Sequence, residues 1–271
     1  MHPLDPTELK DIQLSIMKEI DSYCKEHNLA YYLAGGTLLG AVRHKGFIPW
    51  DDDVDLIMPR SDYEKFLTEF STSHCKVYSL YTSPKCRFPF AKVYDTRTSV
   101  IEGSFRKKAD FGVFVDIFPL DIASDDSLLI HKQVEQSRFY QQLLKIQLSR
   151  MGKHWNLSQN LSILVGNFFL LPFSTTWFSR KIDAAAKMNT HLQTNKMGCM
   201  VWGYREREIL DKSSYASGVP IEFEKLVFPA PCGYHEYLSS LYGDYMKLPP
   251  IEKQVSKHDF VAYWKEDYKE Q

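Results

Sequence analysis

The sequence predicts an α+β fold, a mixed β-sheet flanked by helices, followed by a mainly helical second region. Three observations carry this. Short apolar strands alternate with amphipathic helices over residues 1–120, whereas from Ser124 to Leu192 the pattern is helical alone. A chain of 271 residues with 44% apolar and 14% aromatic content also has enough material to bury a sizeable core. A soft boundary near Asp121 divides the chain into a mixed core over 1–121, a helical region over 122–196, and a C-terminal mixed segment over 197–271 that completes the core and the substrate site.

Asp5-Pro6-Thr7-Glu8 carries a capping residue, a proline at the first helical position and a glutamate three places after the cap, which marks a helix start. Leu9, Ile12, Ile16, Ile20 and Tyr23 recur at spacings of three and four, so this helix runs to about His27. Ala30 to Ala34 is a short apolar run delivered to Gly35-Gly36, a buried strand ending in a tight turn, and Thr37 to His44 forms a short helix behind it. From Asp53 to Met58 the residues alternate, with Asp53, Asp55 and Ile57 on one strand face and Val54, Leu56 and Met58 on the other. Pro59 ends that strand, and Ser61 with Glu64 caps a helix through Phe70. Further strands are expected over 77–81, 90–95, 99–102 and 113–118, the last stopping at Pro119. Helices follow over 128–148 and 175–192, then strands over 197–203 and 223–228, and a helix from Tyr234 to Tyr242 before Pro249-Pro250.

The 33 basic and 34 acidic side chains nearly cancel, leaving no net field to attract nucleic acid. Five scattered cysteines form no C-x-x-C pair, so no zinc site is expected, and reduced thiols fit a cytoplasmic protein. The first residues show no basic region followed by an apolar stretch, which agrees with that location. Residues 157–178 are dense in Leu, Ile, Val and Phe, but Asn160, Ser162, Asn167 and Pro172 interrupt a run that needs about 20 residues to cross a bilayer. Two readings stay open for it: a core helix with a turn at Pro172, or a monotopic surface resting on the inner face of the cell membrane.

Chemistry at a nucleotide phosphate requires charge neutralisation by metal ions and backbone donors that hold the phosphates. Gly35-Gly36-Thr37 at a strand end lets the chain approach phosphate oxygens, and the helix behind it presents free N–H groups. Asp53 and Asp55 project two carboxylates from one strand face, roughly 7 Å apart. With Asp51 they form an acidic row that a hard cation such as Mg²⁺ or Mn²⁺ would relieve. Asp116, the one charge in Phe114-Val-Asp-Ile-Phe118, is the candidate third carboxylate and the acceptor of a proton from an attacking hydroxyl. Asp121 and Asp95 are its rivals. Among the cations, Lys92 stands out because it interrupts an apolar strand and a buried ammonium needs an anionic partner; Arg43, His44, Arg87 and Arg97 are closer to ordinary surface charges.

The stretch YLAGGTLLGAVRHKGFIPWDDDVDL over 32–56 resembles the signature of the LicD family, bacterial phosphocholine transferases with a nucleotidyltransferase fold. FAKVYDTRT over 90–98, VDIFPLD over 115–121 and YGDYMKLPP over 242–250 resemble later blocks of that family. The resemblance implies a nucleotidyltransferase-like catalytic core, CDP-choline as donor, CMP as by-product, and as acceptor a sugar hydroxyl on a lipid-linked teichoic-acid precursor or related glycan. It implies that Asp53 and Asp55 hold Mg²⁺ with support from Asp51, that Asp116 is the base, and that Gly36, Thr37 and Lys92 grip phosphates, with Gly35 and Arg43 in the same donor site. Family relatives in animals carry a zinc-finger insertion and use CDP-ribitol, and this chain lacks the Cys and His spacing for one. A quaternary ammonium is commonly held by aromatic faces, for which Trp202, Tyr204, Tyr242 and Tyr245 are open candidates. The rival expectations are transfer of a nucleotidyl group, transfer of another CDP-linked alcohol such as ribitol phosphate, and an inactive glycan-binding protein.

Overall fold

A computed structural model describes residues 2–103, 111–149, 156–255 and 260–266. Strand β1 (His2–Pro3) leads into helix α1 (Pro6–His27). The expected cap is in place: the Asp5 carboxylate accepts from the N–H groups of Thr7 and Glu8, and Glu8 accepts from the N–H of Asp5. Ile12, Ile16 and Ile20 of its apolar stripe are buried, and Asn28 ends the helix in the left-handed conformation. Strand β2 (Tyr32–Leu33) turns at once into helix α2 (Gly35–His44), which takes in both glycines. Strand β3 (Asp55–Pro59) and helix α3 (Arg60–Glu69) follow without a break. Pro59, not Ser61, occupies the cap position of α3. The sheet holds the chain extended only as far as Pro59, so Ser61 already lies in the first helical turn, with its hydroxyl donating to Asp62.

Strands β4 (Cys75–Tyr78), β5 (Ala91–Asp95), β6 (Thr98–Glu102) and β7 (Phe114–Ala123) come next. The principal sheet has the order β2-β3-β7-β5-β4, with β3 parallel to β7 and the other neighbours antiparallel. Contrary to the sequence expectation, β7 does not stop at Pro119. The N–H of Asp116 points to Val54, on the β3 side, so the odd-numbered positions of β7 face the other edge. There the β5 ladder ends at Ile117 and the next neighbour begins at Asp121, so the missing N–H of Pro119 leaves no ladder bond unmade.

Helix α4 (Ser127–Leu148) is capped by Asp126, and α5 (Leu157–Leu170) and α6 (Thr175–Ala186) follow. The apolar segment is therefore two helices, bent by 86° across the turn at Pro172. Among the described residues no single helix is long and apolar enough to cross a membrane. Strand β8 (Lys196–Gly198) extends the principal sheet by pairing with the end of β7, and β9 (Leu210–Asp211) pairs with β8. The run expected as one strand over 223–228 is the tip of a hairpin, β10 (Gly218–Phe223) and β11 (Leu226–Pro231). Glu224 and Lys225 both take positive φ at its turn, the twist that a two-residue hairpin loop requires. Helix α7 (Tyr234–Tyr242) matches the expected span, and β12 (Phe260–Trp264) joins β1 to β6 in a small separate sheet.

Two apolar clusters hold these layers. One joins α1, α2, the principal sheet, the hairpin and α7, with Ile16, Leu33, Leu56, Phe66 and Tyr237 at its centre. The other lies under α4 and α6, where Leu144, Phe178 and Ile182 join Phe114 of β7 and Phe88 and Phe90 of the loop before β5.

Candidate active site

The ladder itself brings the chemistry together. Asp55, the first residue of β3, stands in register with Asp116 of β7, and Asp116 stands in register with Lys92 of β5. Residues paired across a sheet point to the same face, so these three side chains form one row. The Lys92 ammonium lies 2.7 and 3.0 Å from the two oxygens of Asp116. It is 4% exposed, and its Nζ sits 3.6 Å from the centroid of Phe114, with Phe88, Phe90 and Phe111 around it. The anionic partner that a buried ammonium needs is therefore Asp116.

Asp51 and Asp53 reach the same place by another route than the one expected. They do not lie on the strand. Strand β2 offers partners only at Tyr32 and Leu33, so the ladder begins at Asp55 and residues 51–54 form an irregular approach to it. One carboxylate oxygen from each of Asp51, Asp52 and Asp53 lies within 4.8 Å of the others. The glycine pair is fitted to these acids. A Cβ on Gly36 would lie 2.6 Å from an Asp51 carboxylate oxygen, and Gly35, at φ +49, would place one 2.9 Å from an Asp55 oxygen. Only glycine permits so close an approach of the α2 N-terminus. The Thr37 hydroxyl oxygen accepts from the N–H of Asp55 at 2.8 Å, and the Gly35 N–H donates to the Tyr237 hydroxyl.

The electrostatics follow from the crowding. Desolvation in the cleft pushes the Asp55 carboxyl well above the usual carboxylate range, and the charges of Asp53, Asp116 and Asp51 push it further, against a weaker pull from Lys92. Asp55 thus lies within electrostatic reach of Asp53, Asp116 and Asp51, and carboxylates are the hard oxygen ligands that Mg²⁺ or Mn²⁺ prefers.

The remaining candidates separate cleanly. Both rivals of Asp116 are held by arginines: Asp95 by Arg97, and Asp121 by a two-pronged pair with Arg60 at 2.7 Å on each prong. Arg43, at the end of α2, donates to the His44 ring and to the backbone oxygen of Tyr245. Of the four aromatic candidates, Tyr204 and Tyr242 are partners, with ring centroids 5.4 Å apart at 77°. Burial raises the pKa of both hydroxyls, and the charge of Asp55 adds a smaller push to each. Trp202 instead packs edgewise on Phe90, and the Tyr245 hydroxyl bonds to His235. One buried acid escapes a reading of the sequence altogether. Glu208 sits in the run Arg205-Glu206-Arg207-Glu208, which has the look of a solvated turn, yet it is 5% exposed and accepts from the N–H of Tyr204.

A family model described as LicD/FKTN/FKRP, nucleotidyltransferase domain, matches residues 28–151, the stretch that holds the glycine turn, the acidic approach and all three residues of the charged row. With that site, the α+β fold defines an enzyme of the phosphotransferase class. The lipopolysaccharide cholinephosphotransferase LicD of Haemophilus influenzae is 30% identical over 272 residues, covering 97% of this chain and 99% of that protein. The chain belongs to the LicD family. An uncharacterized protein of Rickettsia typhi is 30% identical over 125 residues, 42% of this chain and 40% of that protein.

Proposed function

We propose that this protein transfers phosphocholine from CDP-choline to a sugar hydroxyl of a cell-surface glycan, such as a lipid-linked teichoic-acid precursor or a lipopolysaccharide, and releases CMP. The observation that carries this reading is the Asp55–Asp116–Lys92 row, joined by Asp51 and Asp53 beside the glycine turn. Its support from relatives is the full-length similarity to a lipopolysaccharide cholinephosphotransferase.

In this mechanism Asp51, Asp53, Asp55 and Asp116 would hold Mg²⁺ or Mn²⁺, which would supply neutralisation of the donor diphosphate and of the charge that develops on it. The first-turn N–H groups of Gly36 and Thr37, which have no partner within their helix, hold phosphate oxygens. Asp116 accepts the proton of the attacking sugar hydroxyl, and the Lys92 ammonium, bonded to both its oxygens, orients it. The hydroxyl oxygen forms a bond to the choline-bearing phosphorus, the bond from that phosphorus to the bridging oxygen breaks, and its electron pair leaves with CMP. Tyr204 and Tyr242 supply aromatic faces for the trimethylammonium group.

Incubation with CDP-choline, Mg²⁺ and a glycan acceptor, followed by phosphorus NMR, tests the reaction. CMP and a new phosphodiester on the acceptor are expected. Cytidine on the acceptor would mean attack at the other phosphorus, and turnover with CDP-ribitol alone would replace the donor.

The protein acts at the inner face of the membrane that carries its acceptor. Leu161, Leu164, Val165, Phe168, Phe169 and Leu171 are all exposed along α5 and the turn after it, with Phe168 and Phe169 at 69% and 70%. Such a contiguous apolar surface fits shallow burial in an interface. Replacing Phe168 and Phe169 with serine should abolish sedimentation with anionic vesicles, and unchanged sedimentation would remove the membrane from this scheme.

A further inference from the structure

A cavity of about 200 Å³ opens against α4, with Arg138, Gln141, Lys145, Trp202 and Arg205 in its lining. Positions 138, 141 and 145 share one face of that helix, so the wall is a single polar stripe. The facing wall is the segment 199–205, where Gly203 at φ +93 and Arg205 at φ +63 make a backbone turn that side chains rarely adopt. This wall is pinned to α4: the Ser137 hydroxyl donates to the Met200 backbone oxygen at 2.6 Å, and Gln141 donates to that same hydroxyl.

The charge of the cavity is one-sided. Arg138 pairs with Glu135 on its own helix. Lys145 lies 4.6 Å over the Trp202 ring, and among the described residues neither it nor Arg205 enters an ion pair. Partial burial beside the Trp202 ring lowers the pKa of the Lys145 ammonium. Two uncompensated cations, a third shared one and an amide donor around a small cavity are what an anionic oxygen group requires.

We infer that this cavity binds a phosphate group carried by the acceptor glycan. The placement favours the acceptor over the donor. Trp202, in the cavity lining, packs edgewise on Phe90, whose ring centroid lies 5.3 Å from the Lys92 ammonium, so the cavity adjoins the charged row. On its other side, Ile146, next to Lys145 in α4, receives Gly166 and Asn167 of the apolar helix α5. An acceptor anchored in lipid at α5 would pass Lys145 before reaching the carboxylates. The assignment to the acceptor rests on the transferase reading above, whereas the anion site itself does not.

Trp202 makes the site observable without turnover. In EDTA, glucose 6-phosphate should change the tryptophan emission saturably and glucose should not, and the response should vanish in Trp202→Phe. Lys145→Gln and Arg205→Gln should each weaken the apparent affinity about tenfold. Calorimetry with CDP-choline and Mg²⁺ should give the same donor affinity in both variants as in the parent. No saturable response, or one that both variants retain, overturns the anion site. Loss of donor affinity in the variants overturns the assignment to the acceptor and gives the cavity to the donor. A parent that binds glucose 6-phosphate but not CDP-choline would sink the transferase reading and, with it, the acceptor assignment alone.

Discussion

The two ends of β3 carry buried charge arranged on opposite principles. At its start, Asp55 feels the charges of Asp53, Asp116 and Asp51, and Asp116 pairs with the buried Lys92. Just beyond its end, Arg60 clamps Asp121 with two prongs and Asp183 with a third contact, and Lys187 pairs with Asp183 and Glu64. Asp116 and Asp121 belong to the same strand, both are buried, and each faces a cation. The balance of charge around them distinguishes them. The Arg60 network holds its acids in direct ion pairs and ties α3, β7 and α6 together, whereas at Asp55 the charges of Asp53, Asp116 and Asp51 outweigh the pull of Lys92.

The largest expected effect lies at the unbalanced end. Asp53→Ala and Asp55→Ala should each lower turnover about a thousandfold or more while leaving the fold intact, because each removes a like charge from a crowded cleft. The Mg²⁺-dependent rise in melting temperature expected of the parent should disappear in both. Unfolding of both metal-free variants would make this cluster architectural, like the Arg60 network, and erase the distinction.

The balanced end should respond in the reverse sense. Arg60→Met leaves Asp121 buried at 1% exposure without its partner, which should cost about 3–5 kcal/mol in urea denaturation. Replacing Asp121 with leucine in the same protein should recover much of that loss, since the uncompensated charge goes with it. Lys92→Met sharpens the contrast. It should destabilise the metal-free protein by about 3 kcal/mol by removing the buried ammonium that pairs with Asp116, and added Mg²⁺ should restore part of the loss, which no divalent ion should do for Arg60→Met. Equal recovery of both variants in Mg²⁺ would show that the two clusters do not differ in kind.

Most of the fold was legible because its signals are local. The Asp5 to Glu8 cap and the helix from Tyr234 to Tyr242 depend on neighbours in sequence and stand where expected, whereas helix α2 starts at Gly35 and takes in the glycines read as a turn before it. The misreadings involve partners distant in sequence. Whether Pro119 ends a strand depends on where β5 stops and β8 begins, and Asp53 is off the ladder because β2 is too short to reach it. The same holds for the site. Asp55 is legible from its place in the acidic run and Asp116 as the one charge in an apolar strand, but the row with Lys92 requires the register of three strands. Glu208 carries no local signal at all: its neighbours are charged, and its burial is made by Tyr204 and Gly203 folding over it.

Glu208 also supplies the mildest test of what surrounds the carboxylate cleft. Burial pushes its carboxyl up to about 8, against a smaller downward pull from the Tyr204 N–H that it accepts. The folded protein thus keeps a proton that the unfolded chain releases above about pH 4.3. Stability contributed by this group is complete below that pH, declines as pH rises towards 8, and changes little beyond it. Glu208→Gln keeps the shape and has no proton to lose, so its urea midpoint should fall less than the parent's between pH 6.5 and 8. The difference at stake is at most about 2 kcal/mol. Glu208 bonds to the backbone of Tyr204, whose ring pairs with Tyr242, so ionisation should loosen that pair and raise the KM for CDP-choline at pH 8 more in the parent than in the variant. Parallel stability profiles with parallel KM values would show that Glu208 is ionised across the whole range, and that the aromatic pair rests on a charge and not on a neutral acid.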